Sequence, residues 1–354
     1  MKPHPHRQTR IEISDIAFGG AGVGRSSDGK AVFVPYTIDG ERVTVDITQR
    51  QKNFDRGRVI EIHQSSPHRV APPCPYFARC GGCDYQHIDY PQQLIIKQRQ
   101  VAQTLHRIGN LDDINVLPTI GSSLPYGFRN RITVHSDGAR IGFFEKQSRT
   151  IIDIKQCALA SSSVNAKLTE LRSKGLKEDG HRTLREDEQS RTFSQTNDHI
   201  AERLLSYIAD RVEGEVLLDG YCGSGFFGHQ LANRFQTIIG IDWNEPAIIS
   251  ARKIAKENET YLHGDVGETI GAALQKYHPD FVILDPSADG TDERVTSALS
   301  QFAPASIIYV SCNPATLARD LKRMAEVFAI DSVQPFDMFP QTAEIEAVAI
   351  LRRQ

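Results

Sequence analysis

From residue 215 onward, short apolar runs alternate with amphipathic stretches of helical length, and this pattern constrains the fold more than any other feature. Candidate strands lie at residues 215–219, 237–241, 259–262, 281–284 and 305–311, with helical stretches such as 246–257 and 314–328 between or after them. Residues 331–338 and 345–352 read as a terminal strand pair. Parallel strands need long crossovers, so strand–helix alternation predicts a mostly parallel sheet covered by helices on both faces.

That pattern accounts for less than half of 354 residues, and with 40% hydrophobic content the chain is long enough for two or three packed domains. No apolar run approaches the roughly 20 residues of a membrane helix. The polar start, Met1-Lys2-Pro3-His4-Pro5-His6-Arg7, lacks a signal-peptide core, so a reducing cytoplasm is expected and the six cysteines are read as free of disulfides. Net charge is −3, unevenly spread: residues 1–160 hold 21 Lys+Arg against 15 Asp+Glu, and the remainder 20 against 29. Contact with a polyanion, if made, falls to the front half.

The front half opens with short alternating runs broken by glycine, from Ile11-Glu12-Ile13 to Arg58-Val59-Ile60-Glu61-Ile62, a spacing that suits a small barrel of about five strands. Residues 64–73 hold three prolines and no periodicity and read as a linker. A helix is predicted over 91–108 and strands near 131–135, 140–144 and 150–154, while the polar stretch 161–192 reads as a flexible or lightly packed connection. The expected domains are therefore 1–66, 67–192 and 193–354.

Three constellations carry chemistry. In Val216-Leu217-Leu218-Asp219-Gly220-Tyr221-Cys222-Gly223-Ser224-Gly225-Phe226-Phe227-Gly228, glycines let a tight turn bring backbone close to a ligand at a helix N-terminus. Asp242, at the end of the next strand, can accept hydrogen bonds from ribose hydroxyls. A nicotinamide cofactor would use the same geometry, but Asp219 would face a pyrophosphate badly and tolerates the cationic sulfonium and amine of S-adenosylmethionine.

The second is Cys74-Pro75-Tyr76-Phe77-Ala78-Arg79-Cys80-Gly81-Gly82-Cys83, with Cys157 later. Three thiols within ten residues can converge on one metal centre and Cys157 can complete it; spacing leaves zinc and an iron–sulfur cluster both open. The third is Cys312, at the end of an apolar run with Pro314 opening a helix. A thiol there is expected to be activated by the helix dipole, with Glu346 nearby as a base; a buried, inert cysteine is the competing reading. The alternation around Glu344 and Glu346 places both on one strand face.

Taken together these residues resemble the RNA uracil-5 methyltransferase family. The resemblance runs over nearly the whole chain: the barrel is similar to a TRAM domain, Phe193-Ser194-Gln195-Thr196-Asn197 matches F-x-Q-x-N, Asp219 to Gly225 matches the methyl-donor loop, and Ser311-Cys312-Asn313-Pro314-Ala315-Thr316 and Asp337-Met338-Phe339-Pro340 match the catalytic end. It implies a Rossmann-like class I methyltransferase domain beside an N-terminal barrel and a small central domain in which Cys74, Cys80, Cys83 and Cys157 hold a four-iron four-sulfur cluster. It further implies that Cys312 adds to carbon 6 of a uracil in RNA, with 23S ribosomal RNA favoured and transfer RNA the alternative, and that Glu346 later removes the carbon 5 proton. Gln195, Tyr221, Gly223, Gly225, Asp242, Asp265 and Asp285 would hold S-adenosylmethionine, with Phe193 and Asp285 beside the flipped base. No obligate protein partner is implied.

Two departures stand out. The family reads Asp-Pro-Pro-Arg or Asp-Pro-Ala-Arg where this chain has Asp285-Pro286-Ser287-Ala288, so a cation is missing, and Glu344 stands where many members have histidine. Glu344 is expected to raise the pKa of Glu346 by like-charge repulsion. The alternative to an enzyme is a non-catalytic RNA-binding protein on the same scaffold.

Overall fold

The computed structural model describes residues 8–177, 179–187 and 196–354; Phe193 and Gln195 lie outside them. The chain divides into two compact units. The first comprises Met1–Ile96, Leu124–Glu186 and Phe339–Ala343, the second Lys97–Ser123, Asp187–Met338 and Glu344–Gln354.

In the first unit, β1 (Gln8–Ile16), β2 (Ala21–Arg25), β3 (Ala31–Pro35), β4 (Arg42–Arg50) and β5 (Phe54–Gln64) close into a barrel of order β1-β2-β3-β5-β4. Alternate residues Ile11, Ile13, Val32, Val34, Val43 and Val45 fill it, as period-two patterning requires. Residues 64–73 are not the loose linker that their prolines suggest. Arg69 donates to Glu41, whose side chain is fully buried, at 2.6 Å, and to the Tyr36 carbonyl at 2.9 Å, so an ion pair pins the segment to the barrel.

After α1 (Tyr90–Thr104), which ends in a π-helical turn over Leu105–Gly109, come β6 (Arg131–Ser136), β7 (Ile141–Phe144) and β8 (Ile151–Asp153). Here the structure corrects the flexible reading of 161–192: α2 (Ser162–Lys174) and β9 (His181–Arg185) form there, though lightly packed, and residues 188–192 lie outside the described residues. Ser161 caps α2 by accepting from the Val164 amide at 3.3 Å, and Val164 and Leu168 are its buried anchors. β9 contributes one buried residue, Leu184, and is held by its ladder to β6 in a sheet of order β8-β7-β6-β9. Polar sequences of this kind hide a helix with two anchors and an edge strand with one.

The second unit carries α3 (Asp198–Ala209), β10 (Gly214–Gly220), α4 (Phe226–Leu231), β11 (Phe235–Asp242), α5 (Glu245–Ile254), β12 (Glu259–His263), α6 (Val266–Tyr277), β13 (Phe281–Leu284), α7 (Glu293–Phe302), β14 (Ser306–Ser311), α8 (Pro314–Met324), β15 (Phe328–Phe336) and β16 (Glu346–Arg353). Its seven-stranded sheet has order β12-β11-β10-β13-β14-β16-β15, parallel from β12 to β14 and closed by antiparallel β16 and β15. β14 is buried along its whole length, as an internal strand covered on both faces must be. Among the described residues no helix is long and apolar enough to cross a membrane.

Candidate active site

In an open parallel sheet, ligands bind beyond the carboxyl ends of the strands, where the order of strands reverses. In this sheet β10 runs to β11 on one side and β13 on the other, and the expected site residues gather at that edge. Asp219 and Gly220 end β10, Asp242 ends β11, Asp285 follows β13 and Cys312 follows β14. Glu346 begins β16 at the same edge: Ser311 pairs with Ala347, so the next position of the antiparallel register sets Cys312 against Glu346.

The turn after β10 is built as a cradle. Tyr221, Gly223 and Gly225 all have positive φ (66°, 54° and 84°). A Cβ on Gly223 would meet nothing within 4 Å, so the loop is open there, whereas one on Gly225 would lie 2.6 Å from both His229 Nε2 and the Tyr261 hydroxyl. Those two side chains and Glu259 form a bonded triad behind the loop. Asp242 accepts from the Gly223 amide at 2.8 Å through one oxygen and from the Asn244 amide at 2.8 Å through the other. Its carboxylate therefore also fixes the loop, beyond the ribose contact expected of it. Asp219 is fully buried; Oδ2 accepts from the Gly228 amide at 3.2 Å, while Oδ1 is buried without a partner. A buried, unpartnered carboxylate oxygen facing a glycine turn suits a cationic donor such as an amine.

Charge at this edge is of one sign. Burial and then Asp285 hold Asp219 well above the usual carboxylate range. Burial pushes Asp285 up to about 7. Glu346 is buried and also held well above its ordinary value, by desolvation first, then Asp285, then Glu344. The expected repulsion from Glu344 is thus present but is the smallest of the three causes, because Glu344 precedes β16 and is exposed while Glu346 is buried. The same carboxylates overturn the expectation for the nucleophile: Cys312 is exposed, yet desolvation, Glu346 and Asp285 push its thiol up to about 11 rather than down. The dipole of α8 does not outweigh burial together with the two neighbouring carboxyl groups.

The missing arginine leaves a loop that is held another way. The Ala288 carbonyl accepts from Asn313 Nδ2 at 2.9 Å and from Thr316 Oγ1 at 3.1 Å, which ties the Asp285 loop to the turn bearing Cys312. Arg319 donates to the Asp289 and Thr291 carbonyls at 2.9 and 3.2 Å. Asp265 lies farther out: it caps α6 through the Glu268 amide and pairs with Arg294 at 3.4 Å, both side chains being exposed. The ring of Tyr221 packs on the core of the second unit.

The four cysteines form a separate place in the first unit. Cys74, Cys80, Cys83 and Cys157 line one cavity of about 630 Å³ with Gln86 and Arg129. Gln86 accepts from the Cys74 amide at 3.3 Å and donates to Cys83 Sγ at 3.1 Å, and Asn165 brackets both backbone groups of Cys157. Burial raises the thiols of Cys80, Cys83 and Cys157, Cys83 to about 12. Among the described residues no three His, Cys, Asp or Glu side chains stand close enough to grip a single ion.

Sequence reasoning missed Lys97. It is fully buried on α1, 2.6 Å from Asp337 Oδ1 and 2.7 Å from the Glu344 carbonyl. The signal was its spacing: Gln93, Ile96, Lys97, Gln100 and Val101 share the inward stripe of the helix.

Comparison with known proteins agrees with this geometry. A family model described as tRNA (uracil-5-)-methyltransferase matches residues 268–354, and a TRAM domain model matches residues 7–60. An uncharacterized RNA methyltransferase of Bdellovibrio bacteriovorus is 34% identical, covering 97% of this chain and 94% of its own length. The tRNA (uracil(54)-C(5))-methyltransferase of Schizosaccharomyces pombe is 27% identical, covering 98% of this chain and 78% of that protein. The crystal structure of the Pyrococcus abyssi tRNA (uracil-54, C5)-methyltransferase with S-adenosyl-L-homocysteine superposes with a TM-score of 0.75 at 25% identity, over 96% of this chain and 100% of that one. With a TRAM barrel and a methyltransferase-like sheet on one chain, the protein belongs to the RNA uracil-5 methyltransferase family and is an S-adenosylmethionine-dependent enzyme of that family.

Proposed function

We propose that the enzyme methylates carbon 5 of a uridine in 23S ribosomal RNA, in the cytoplasm, through a covalent bond between Cys312 and carbon 6. The observation that carries this reading is the register that sets Cys312 against Glu346 with Asp285 at the same strand edge. Carbon 5 of a pyrimidine is a weak nucleophile until a group adds at carbon 6 and breaks the ring's conjugation. As the Cys312 sulfur adds, its proton passes to the Asp285–Glu346 pair, which titrates as a unit. S-adenosylmethionine, held by the Asp219–Gly225 turn and Asp242, supplies the electrophilic methyl group. The pair gives the thiol proton up to solvent, Glu346 then takes the proton from carbon 5, the electron pair re-forms the ring double bond, and Cys312 leaves as thiolate and regains a proton from the pair. One proton is released to solvent for each methyl transferred.

The roles given to Asp285 beside the uracil, to Tyr221 and Asp265 at the donor, and to Phe193 and Gln195 follow the motif positions. For Cys74, Cys80, Cys83 and Cys157 we take a four-iron four-sulfur cluster. An all-thiol donor set lining one cavity supports that choice. Such a cluster would be held by the four thiolates and would anchor the loops that Gln86 and Asn165 fix.

Ribosomal RNA is favoured by the joining of a TRAM barrel to a four-cysteine site on one chain. Transfer RNA uridine 54 is the second reading, favoured by similarity over nearly the whole chain to two proteins described as tRNA uracil-54 methyltransferases. Incubating the purified enzyme and methyl-labelled donor with unmodified 23S ribosomal RNA and unmodified transfer RNA, then mapping 5-methyluridine, separates them. Label in 23S RNA is expected; label confined to transfer RNA overturns the ribosomal assignment.

A further inference from the structure

Lys97 is a buried ammonium with a placement that core packing does not call for. Removing a charge pair from water is expensive, and apolar residues of similar volume commonly serve stability as well or better. Asp337 gains only one partner from the pair, since its Oδ2 is buried without one. What the ammonium does reach is the chain on either side of Glu346. Asp337 follows Phe336, which pairs with Glu346 in the β15–β16 ladder. The Glu344 carbonyl, 2.7 Å from Nζ, lies two residues before Glu346, where β16 has not yet begun. Lys97 therefore ties the approach to β16 to the end of β15.

We infer that Lys97 is a positioning residue for the catalytic base: by holding the Glu344 carbonyl and Asp337 together it fixes the start of β16, so that the Glu346 carboxylate aims at the carbon 5 proton. This rests on the covalent route proposed above. The groups that govern the protonation of Glu346 are burial, Asp285 and Glu344, so Lys97 acts through the backbone and not as a counter-ion. A carboxylate must lie within hydrogen-bond reach of the proton that it removes, and a displacement of about 1 Å can slow such a step by about a hundredfold. The step affected is the last one, after the methyl group has been transferred.

The test uses the full-length enzyme with unmodified 23S ribosomal RNA and transfer RNA, methyl-labelled donor and denaturing gels. Lys97→Met alone leaves Asp337 uncompensated and can unfold the protein, so Lys97→Met/Asp337→Leu is made beside it. The double variant is expected to melt within a few degrees of wild type, keep its KM for RNA within about twofold, and lose about tenfold or more in kcat. It should also accumulate a denaturation-resistant protein–RNA adduct that carries the labelled methyl group, as Glu346→Gln should. Lys97→Arg, which restores a cation, should recover part of kcat and clear the adduct. A double variant that turns over like wild type, or that loses turnover and adduct formation in equal proportion, overturns the positioning role. If wild type forms no Cys312-dependent adduct with 5-fluorouridine RNA, the covalent route itself fails, and that result is read separately from the Lys97 variants.

Discussion

The edge of the parallel sheet and the cysteine cavity of the first unit are both clusters of ionisable groups, but they are unfinished in opposite ways. At the sheet edge Asp219, Asp285 and Glu346 crowd like charges where burial already opposes ionisation, and each is held above its ordinary range. At the cavity four thiols line one space, and burial raises the thiols of Cys80, Cys83 and Cys157. The first arrangement stores proton-transfer capacity at the expense of stability. The second would be completed by the cluster proposed above. Variants at the two places should therefore fail differently, the edge losing rate and the cavity losing fold.

The largest effect is expected from Glu346→Gln. Turnover should fall by about 10²- to 10⁴-fold, the range for a lost general base, in a steady-state methylation assay. The same variant should be more stable than wild type in mildly alkaline buffer. Glu346 and Asp285 have folded-state pKa values above their unfolded ones, so the folded protein binds more protons and stability is lost as pH rises from about 4 towards and beyond about 7. Melting curves at about pH 4 and about pH 8, the two ends of that window, should show the variant's gain at the higher pH alone.

Gly225→Ala comes next. With φ at 84° and a Cβ 2.6 Å from His229 Nε2 and the Tyr261 hydroxyl, the turn must shift, and calorimetry should show donor affinity down by about tenfold or more. At the other place, Cys83→Ser should leave purified enzyme without the broad visible absorbance of a cluster and lower its melting temperature by several degrees, about the effect of losing a structural metal anchor. Intact melting behaviour in that variant would dissolve the contrast between the two regions. The smallest effect concerns Cys312. Its thiol is held up to about 11 partly by Glu346, so Glu346→Gln should speed alkylation of Cys312 by iodoacetamide at about pH 8 by a few-fold, measured by peptide mass spectrometry.

Where a strand or helix carries its own period, the sequence was enough. The barrel, the five parallel strands and the terminal pair follow from alternation, from all-apolar runs such as Ile307 to Val310, and from the proline that opens α8. α2 and β9 were hidden because their stability comes from Val164, Leu168 and Leu184 meeting a sheet that local sequence does not reveal. The candidate site residues could be named from motifs, while the direction of the Cys312 shift could not. The helix dipole that would activate Cys312 is a local feature, but the carboxylates that oppose it come from β13 and β16. The partners of Lys97 were unreadable for a similar reason: Asp337 and Glu344 lie 240 and 247 positions away.

Attack of Cys312 on carbon 6 of a uracil in RNA is the step on which the proposed mechanism stands. Incubating the enzyme with S-adenosylmethionine and 23S ribosomal RNA or transfer RNA containing 5-fluorouridine, which cannot give up a proton at carbon 5, tests it most directly. The expected result is a protein–RNA adduct that survives denaturation, maps to the Cys312 peptide and disappears in Cys312→Ala. RNA that is bound and methylated by the wild-type enzyme, with no such adduct formed on the fluorinated RNA, would contradict it.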